Sequence, residues 1–141
     1  MNNALFVFGI PTMLLAAFGL RRVPAHRVTS VHRFGRYRRT LGPGWHWIVP
    51  GLDRTRGEVD LVGHRLEVDG LAAGSGAELY YQIVEPEKAG EALERMDDWV
   101  AGQAREALQG KALSSDQLKS ELNRRVARLG LRVIRCSLHA G

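Results

Sequence analysis

The chain has 141 residues, 45% of them apolar and 25% charged, with a formal net charge of +5. That leaves room for one domain rather than two and suits a globular core. The single cysteine, Cys136, excludes an internal disulfide, so nothing calls for an oxidising compartment. The positive excess is local: Arg21, Arg22, Arg27, Arg33, Arg36, Arg38 and Arg39 occur with no acidic residue between Arg21 and Leu52. Such a run suits anionic lipid head groups or nucleic-acid phosphates, or else it is a solvated basic face.

Ala4 to Leu20 carries no charge over 17 residues. As a helix it would be about 26 Å long, the short end of what spans a bilayer core of roughly 30 Å. Arg21 and Arg22 close it and can snorkel to head groups. The positive charges follow the apolar run and no AxA site is present, so a cleaved signal peptide fits badly. Pro11 removes one helix hydrogen bond near the middle. Two membrane topologies are open, a crossing helix or one that bends at Gly9-Ile10-Pro11 and re-enters one leaflet. A buried soluble helix is the alternative to both.

After the link Val23-Pro24-Ala25, Val28, Ser30, His32 and Phe34 alternate with Arg27, Thr29, Val31 and Arg33, which predicts a strand. Gly35 punctuates it, and Gly42-Pro43-Gly44 is a strong turn signal. Trp45 to Val49 reads as a short strand ended by Pro50-Gly51. Thr55 to Leu61 and His64 to Val68 read as two more strands, with a bulge or tight bend at Gly63. Asp69 to Gly76 is a loop by composition, and it lacks the strand and helix context of a phosphate loop. Glu78 to Val84 is a strand by alternation and aromatic content.

The period then becomes helical. Pro86 suits a first turn, with Ala89, Ala92, Leu93 and Met96 on one face. Asp97 or Asp98 is positioned to cap a second helix, which carries Val100, Ala104 and Leu108 and ends at Gly110. Ser114 and Gln117 have capping-box spacing, and Leu118, Leu122, Val126 and Leu129 form a stripe closed by Gly130. Leu131 to Leu138 alternates as a last strand, with Cys136 packed as a small hydrophobe. Strands, then helices, then a returning strand make this an α+β chain.

Little in the sequence points to catalysis. His26, His32, His46, His64 and His139 show no HExxH spacing, no Cys/His set has zinc spacing, and GxSxG is absent. Cys136 and His139 on a strand would face opposite sides. His46 is expected to be a packed or interfacial side chain, and Asp53 beside Arg54 to support a turn. Trp45 and Trp47 share one face of their strand, which either packs into a core or inserts at a lipid interface.

The run RFGRYRRTLGPGWHWIVPGLDR followed by Val59-Asp60-Leu61 resembles the start of the stomatin/prohibitin/flotillin domain, the SPFH or band-7 family. The matching features are Arg33-Phe34-Gly35, Pro43-Gly44, the apolar strand Trp45 to Val49, Pro50 and Asp53. Tyr80 to Ala89, YYQIVEPEKA, is similar to the family's strand that enters a helix. Gly130 to Leu138 is similar to its closing strand. The resemblance covers Val23 to Leu138. There are two departures. Leu71 to Ala77 is a shortened Gly/Ala/Ser loop where the family has a longer strand pair. No Ala/Glu-rich coiled coil, the part that drives ring or cage assembly in the family, follows before Gly141, so large oligomers are not expected, while contacts between domains stay open.

Together these readings predict a membrane anchor over 1–22 and an SPFH-like α+β domain over 23–141. In that domain a small antiparallel or mixed sheet packs with about three helices. The resemblance implies a non-catalytic scaffold at the inner or plasma membrane, its domain on the cytoplasmic face by the positive-inside rule. No cofactor, metal or catalytic residue is expected. The membrane-binding residues would be Leu5, Phe6, Phe8, Pro11, Leu14, Leu15, Phe18 and Leu20 of the apolar segment, Arg21, Arg22, Arg27, Arg36, Arg38 and Arg39 of the basic run, and Trp45 and Trp47. Expected partners are anionic lipid, a second copy of the chain, and a membrane protease or channel. A basic nucleic-acid-binding module, lacking any helix-turn-helix, zinc finger or RNP motif, is the competing reading, and a membrane-associated hydrolase is a third.

Overall fold

The structure, a computed structural model, describes residues 3–69, 76–109 and 111–139, with side chains from Phe8 onward except Leu15. The central part of the predicted loop Asp69–Gly76, with the shortened segment from Leu71, and the predicted helix end at Gly110 lie outside the described residues. Among the described residues, eight strands and four helices form an α+β fold. In order they are α1 (Asn3–Phe18), β1 (Leu20–Val23), β2 (Arg27–Arg33), β3 (Arg36–Leu41), β4 (Gly44–Trp47), β5 (Asp53–Asp60), β6 (His64–Val68), β7 (Gly76–Ile83), α2 (Pro86–Ala89), α3 (Met96–Leu108), α4 (Ser115–Val126) and β8 (Leu131–His139). A 3-10 turn over Gly90–Arg95 joins α2 to α3.

The strands make three small sheets rather than one: a ribbon β1–β4, a sheet ordered β3-β2-β5, and a sheet ordered β6-β7-β8. Every pairing among the described residues is antiparallel. The Leu61 N–H donates to the His26 carbonyl and the Ile83 N–H to the Leu61 carbonyl, both at 2.7 Å, which stitches the second sheet to the third.

The main core lies between the third sheet and the C-terminal helices. Strand β7 alternates as its sequence predicts, with Ala77, Leu79, Tyr81 and Ile83 buried. Helix α4 presents Leu118, Leu122 and Val126 on one face, all fully buried, each contributing about 2 kcal/mol of apolar burial. Its start is the predicted capping box, with the Ser114 hydroxyl and the Gln117 side chain each satisfying the other's backbone N–H. Asn123 reaches across to β8, donating to the Val133 carbonyl at 3.2 Å and accepting from the Val133 N–H at 2.8 Å. A smaller core joins Val23, Val31 and Leu41, with Ile48 packed on it.

Three expectations change. The helix predicted from Pro86 to Met96 is two pieces, because Gly90 adopts φ 54° and hands the chain to a 3-10 turn. Asp97 and Asp98 do not cap α3: Arg95 holds the N-cap position, and the two carboxylates sit in the first turn, where the helix dipole favours them. Asp97 there accepts the hydroxyl of Tyr81.

The third concerns the expected spanning helix over Ala4–Leu20. Helix α1 has 16 residues, about 24 Å at the α-helical rise. No helix among the described residues is long and apolar enough to cross a membrane. The physical reason lies at its end. The Ile48 N–H donates to the Gly19 carbonyl at 2.8 Å, and Leu20 pairs with Trp47. The last residues of the apolar run therefore belong to a ribbon rather than to a further helical turn. Pro11 lies inside the helix, which does not end there.

A candidate membrane-facing surface

The ribbon β1–β4 sorts the predicted residues into two faces. Its register pairs Leu20 with Trp47 and Arg22 with Trp45, and residues two apart share a face with their cross-strand partners. Leu20, Arg22, Trp45 and Trp47 therefore lie together. All four are exposed, the tryptophans by 64% and 48%, so the core-packing reading of Trp45 and Trp47 is excluded. The opposite face supplies Val23 to the small core. The Arg22 guanidinium sits 5.8 Å from the Trp45 ring centroid, a cation–π distance.

Helix α1 leads into this face. The Trp47 indole N–H donates to the Ala16 carbonyl at 3.2 Å. Phe8, Pro11, Leu14 and Phe18 are exposed, as are Ile10 and Met13, which were not singled out from the sequence. Leu5, Phe6 and Leu15 lie outside the described side chains. An exposed apolar surface thus runs from Phe8 to Trp45, larger than scattered single residues make.

The arginines divide by partner. Arg27 donates to Asp60 at 2.9 Å and to Glu58 at 3.2 Å, and Arg21 lies 3.8 Å from Glu58. Arg33 forks onto Asp53 at 2.7 and 3.2 Å. Arg39 donates to the Trp47 carbonyl at 2.7 Å. Arg22, Arg36 and Arg38 are exposed and make no ion pair among the described residues. The Arg33–Asp53 pair is structural. The Asp53 carboxylate, almost fully buried, also accepts the Val49 N–H at 2.9 Å. Its pKa is held down to about 2, chiefly by the Arg33 hydrogen bond and then by the Val49 N–H, against the opposing effect of burial.

Strand β3 carries an irregularity beside this surface. Val31 pairs with Arg39 while His32 pairs with Tyr37, so Arg38 is an extra residue in a bulge. Arg33, Arg38, Arg39, Trp45, His46, Trp47, Val49 and Asp53 line an open cavity of about 400 Å³ next to it. His46 is held by its Nε2, 2.8 Å from the Gly42 carbonyl.

Two further features escape sequence reasoning. Phe34, predicted to continue a strand, occupies the β2–β3 hairpin tip at φ 52° with Gly35 at φ 78°. Positive φ at both central residues is the geometry of a tight two-residue hairpin, and it leaves Phe34 82% exposed. The second is a Ser/His/Glu group. The Ser30 hydroxyl is 2.6 Å from Glu94 Oε1, and His32 Nε2 is 3.6 Å from the same oxygen. The carboxylate, not the imidazole, lies between the other two, and Ser30 is sealed. This group ties the second sheet to the 3-10 turn and has no nucleophile geometry. Among the described residues no three His, Cys, Asp or Glu side chains converge as metal ligands. Cys136 is half-buried, its thiol pushed up to about 11 mainly by burial.

The family model described as SPFH domain / Band 7 family matches residues 21–140. No curated protein matches the chain significantly.

Proposed function

This chain belongs to the SPFH domain / Band 7 family, and from that premise we propose that it is a non-catalytic scaffold attached to one leaflet of a membrane. The observation that carries the proposal is the exposed apolar surface formed by α1 and the outer face of the β1–β4 ribbon. Left in water, side chains such as Phe8, Met13 and Phe18, each more than 70% exposed, forfeit about 1.5 kcal/mol or more apiece. Lipid removes that loss. A helix of about 24 Å is too short to cross comfortably, whereas shallow insertion fits its length. Trp45 and Trp47 would then sit at the head-group level, where indoles are favoured. Arg22, Arg36 and Arg38 would meet anionic lipid, each contributing about 1 kcal/mol. Arg21 and Arg27, already facing Glu58 and Asp60, contribute less.

The side that carries Arg36 and Arg38 would face the cytoplasm by the positive-inside rule. The protein partners of such a scaffold would be a second copy of the chain and a membrane protease or channel whose placement it modulates. Against a nucleic-acid role, Arg21, Arg27 and Arg33 lie against acidic side chains, which leaves fewer free charges for a phosphate backbone.

The test is fractionation of cells expressing the full chain. Retention in the pellet after high salt, with release only by detergent, is the expected result. Release by salt alone would overturn the anchor and favour a purely electrostatic partner.

A further inference from the structure

We propose that the cavity between the bulged strand β3 and the ribbon strand β4 is a binding site for a phosphate monoester, presented as a lipid head group. The inference rests on the membrane attachment proposed above and adds a chemical selectivity to it.

The bulge is the first observation. On a regular strand, adjacent side chains point to opposite faces, so Arg38 and Arg39 would diverge. Arg38 is the unpaired extra residue opposite Val31 and His32, and bulges re-aim side chains in this way. Both Arg38 and Arg39 line one cavity of about 400 Å³. That volume suits a head group rather than a whole lipid.

The charge balance is the second. Three guanidinium groups and one carboxylate line the cavity. Arg33 and Asp53 take each other up, and the Val49 N–H further occupies the carboxylate. Two positive charges, Arg38 and Arg39, are left. Arg39 is fixed in place because one Nη2 hydrogen bond goes to the Trp47 carbonyl, while the rest of its fork stays available. A phosphate monoester carries a charge near −2 above its second pKa of about 6, and a diester carries only −1. Two guanidinium forks match the dianion in both charge and geometry.

The third is the rim. Trp45 and Trp47 line the same cavity and are exposed on the ribbon face that α1 enters. An anion held there has an apolar path leading away from it, which a lipid head group needs and a soluble phosphate does not.

The experiment uses the full chain and phosphatidylcholine vesicles doped with phosphatidate, a monoester, or with phosphatidylglycerol, a diester, adjusted to equal surface potential. Co-flotation gives an apparent affinity for each. Tighter binding to the monoester vesicles by roughly fivefold is expected, the worth of about one additional charge pair. Arg38→Ala should abolish the preference, and Arg38→Lys should keep only part of it, since an ammonium lacks the fork. Arg36→Ala, outside the cavity, should weaken binding to both vesicles equally and leave the ratio intact. In a parallel arm, the chain in pure phosphatidylcholine vesicles is titrated with inorganic phosphate while tryptophan emission is followed. No saturable change at micromolar phosphate is expected; a saturable change there would assign the site to a soluble phosphate and overturn the lipid source. Equal affinity for both doped vesicles, with flotation intact, overturns the site while leaving the anchor standing. Failure to float on any vesicle overturns the anchor itself.

Discussion

The indole N–H of Trp47 donates to the carbonyl of Ala16 across 31 positions of sequence. This bond, with the Ile48 N–H on the Gly19 carbonyl, fastens the end of α1 to the edge of β4. It leaves no room at Gly19, where a Cβ would lie 2.5 Å from the Ile48 carbonyl oxygen and 2.6 Å from the Trp47 ring nitrogen. Gly19→Val should therefore unseat the helix from the ribbon. The main core is remote from this contact, so the melting temperature should move by only about a few degrees. Trypsin should cut faster at Arg21 and Arg22, and tryptophan emission should shift to the red. Trp47→Phe removes only one hydrogen bond, about 1 kcal/mol, and should show a weaker form of the same behaviour.

A second prediction concerns acid. The Asp53 pKa falls from its ordinary 3.8 to about 2, so the folded state holds the ionised carboxylate more strongly than the unfolded chain does. The stability this adds is fully present above the unfolded pKa. It is lost as pH falls through the folded one, in the window from about 4 to about 2. Asp53→Asn should flatten the acid limb of the stability curve in that window. At neutral pH the same change should cost about 2–3 kcal/mol, because Arg33 loses a charged partner and the single amide oxygen that remains cannot accept from both Arg33 and the Val49 N–H. Thermal melts of the two proteins at pH 7 and pH 3 measure both effects. An equal loss at the two values would show that charge is not involved.

Much of the C-terminal half was readable because its signals are local. The Ser114–Gln117 box, the Leu118, Leu122 and Val126 stripe and the alternation of β7 each lie within a dozen residues, and each is found in the fold. The N-terminal half resists that kind of reading because its meaning is set by distant partners. Alternation says that Trp45 and Trp47 share a face. It does not say that the strand covering their ribbon is Leu20–Val23, which read as a helix end and a link. A run of arginines looks uniformly free until Arg27 meets Glu58 and Asp60 from β5, more than thirty residues away. The bulge at Arg38 is likewise a property of two strands in register, and no single-strand pattern encodes it.

The lone thiol gives a third prediction. Burial raises the Cys136 pKa from 9.0 to about 11, with the Asp116 charge assisting and Lys119 opposing. At pH 8 the thiolate fraction should be about a hundredfold below that of an unperturbed thiol, and only the thiolate attacks a disulfide reagent. Labelling of the native chain should be slowed by about tenfold or more, since the more basic thiolate is also the better nucleophile, and denaturant should restore the ordinary rate. Fast labelling of the native protein would mean that β8 opens readily, because the group sits half-buried on that strand.

Gly130 is where the C-terminal helical segment turns back into β8, and its carbonyl accepts the N–H groups of Val84 at 2.8 Å and Glu85 at 3.0 Å. Those bonds bring the exit of β7 against the entry of β8 and so align the two strands that carry the main core. The residue stands at φ 70°, and a Cβ there would fall inside contact distance of the Glu85 carbonyl oxygen. The left-handed conformation alone costs an alanine about 1 kcal/mol. The clash is with backbone, which cannot swing aside as a side chain would, so the strand junction must shift. Gly130→Ala should therefore destabilise by roughly 3 kcal/mol or more, enough to push much of the expressed protein into the insoluble fraction. Gly102→Ala is the matched control. It lies inside α3 with nothing within 4 Å of an added Cβ, and alanine is the better helix former by about 1 kcal/mol. Urea melts should show the two glycine-to-alanine changes moving the midpoint in opposite directions. A Gly130→Ala chain as stable as the parent would mean that the 84–85 junction is not held by this approach.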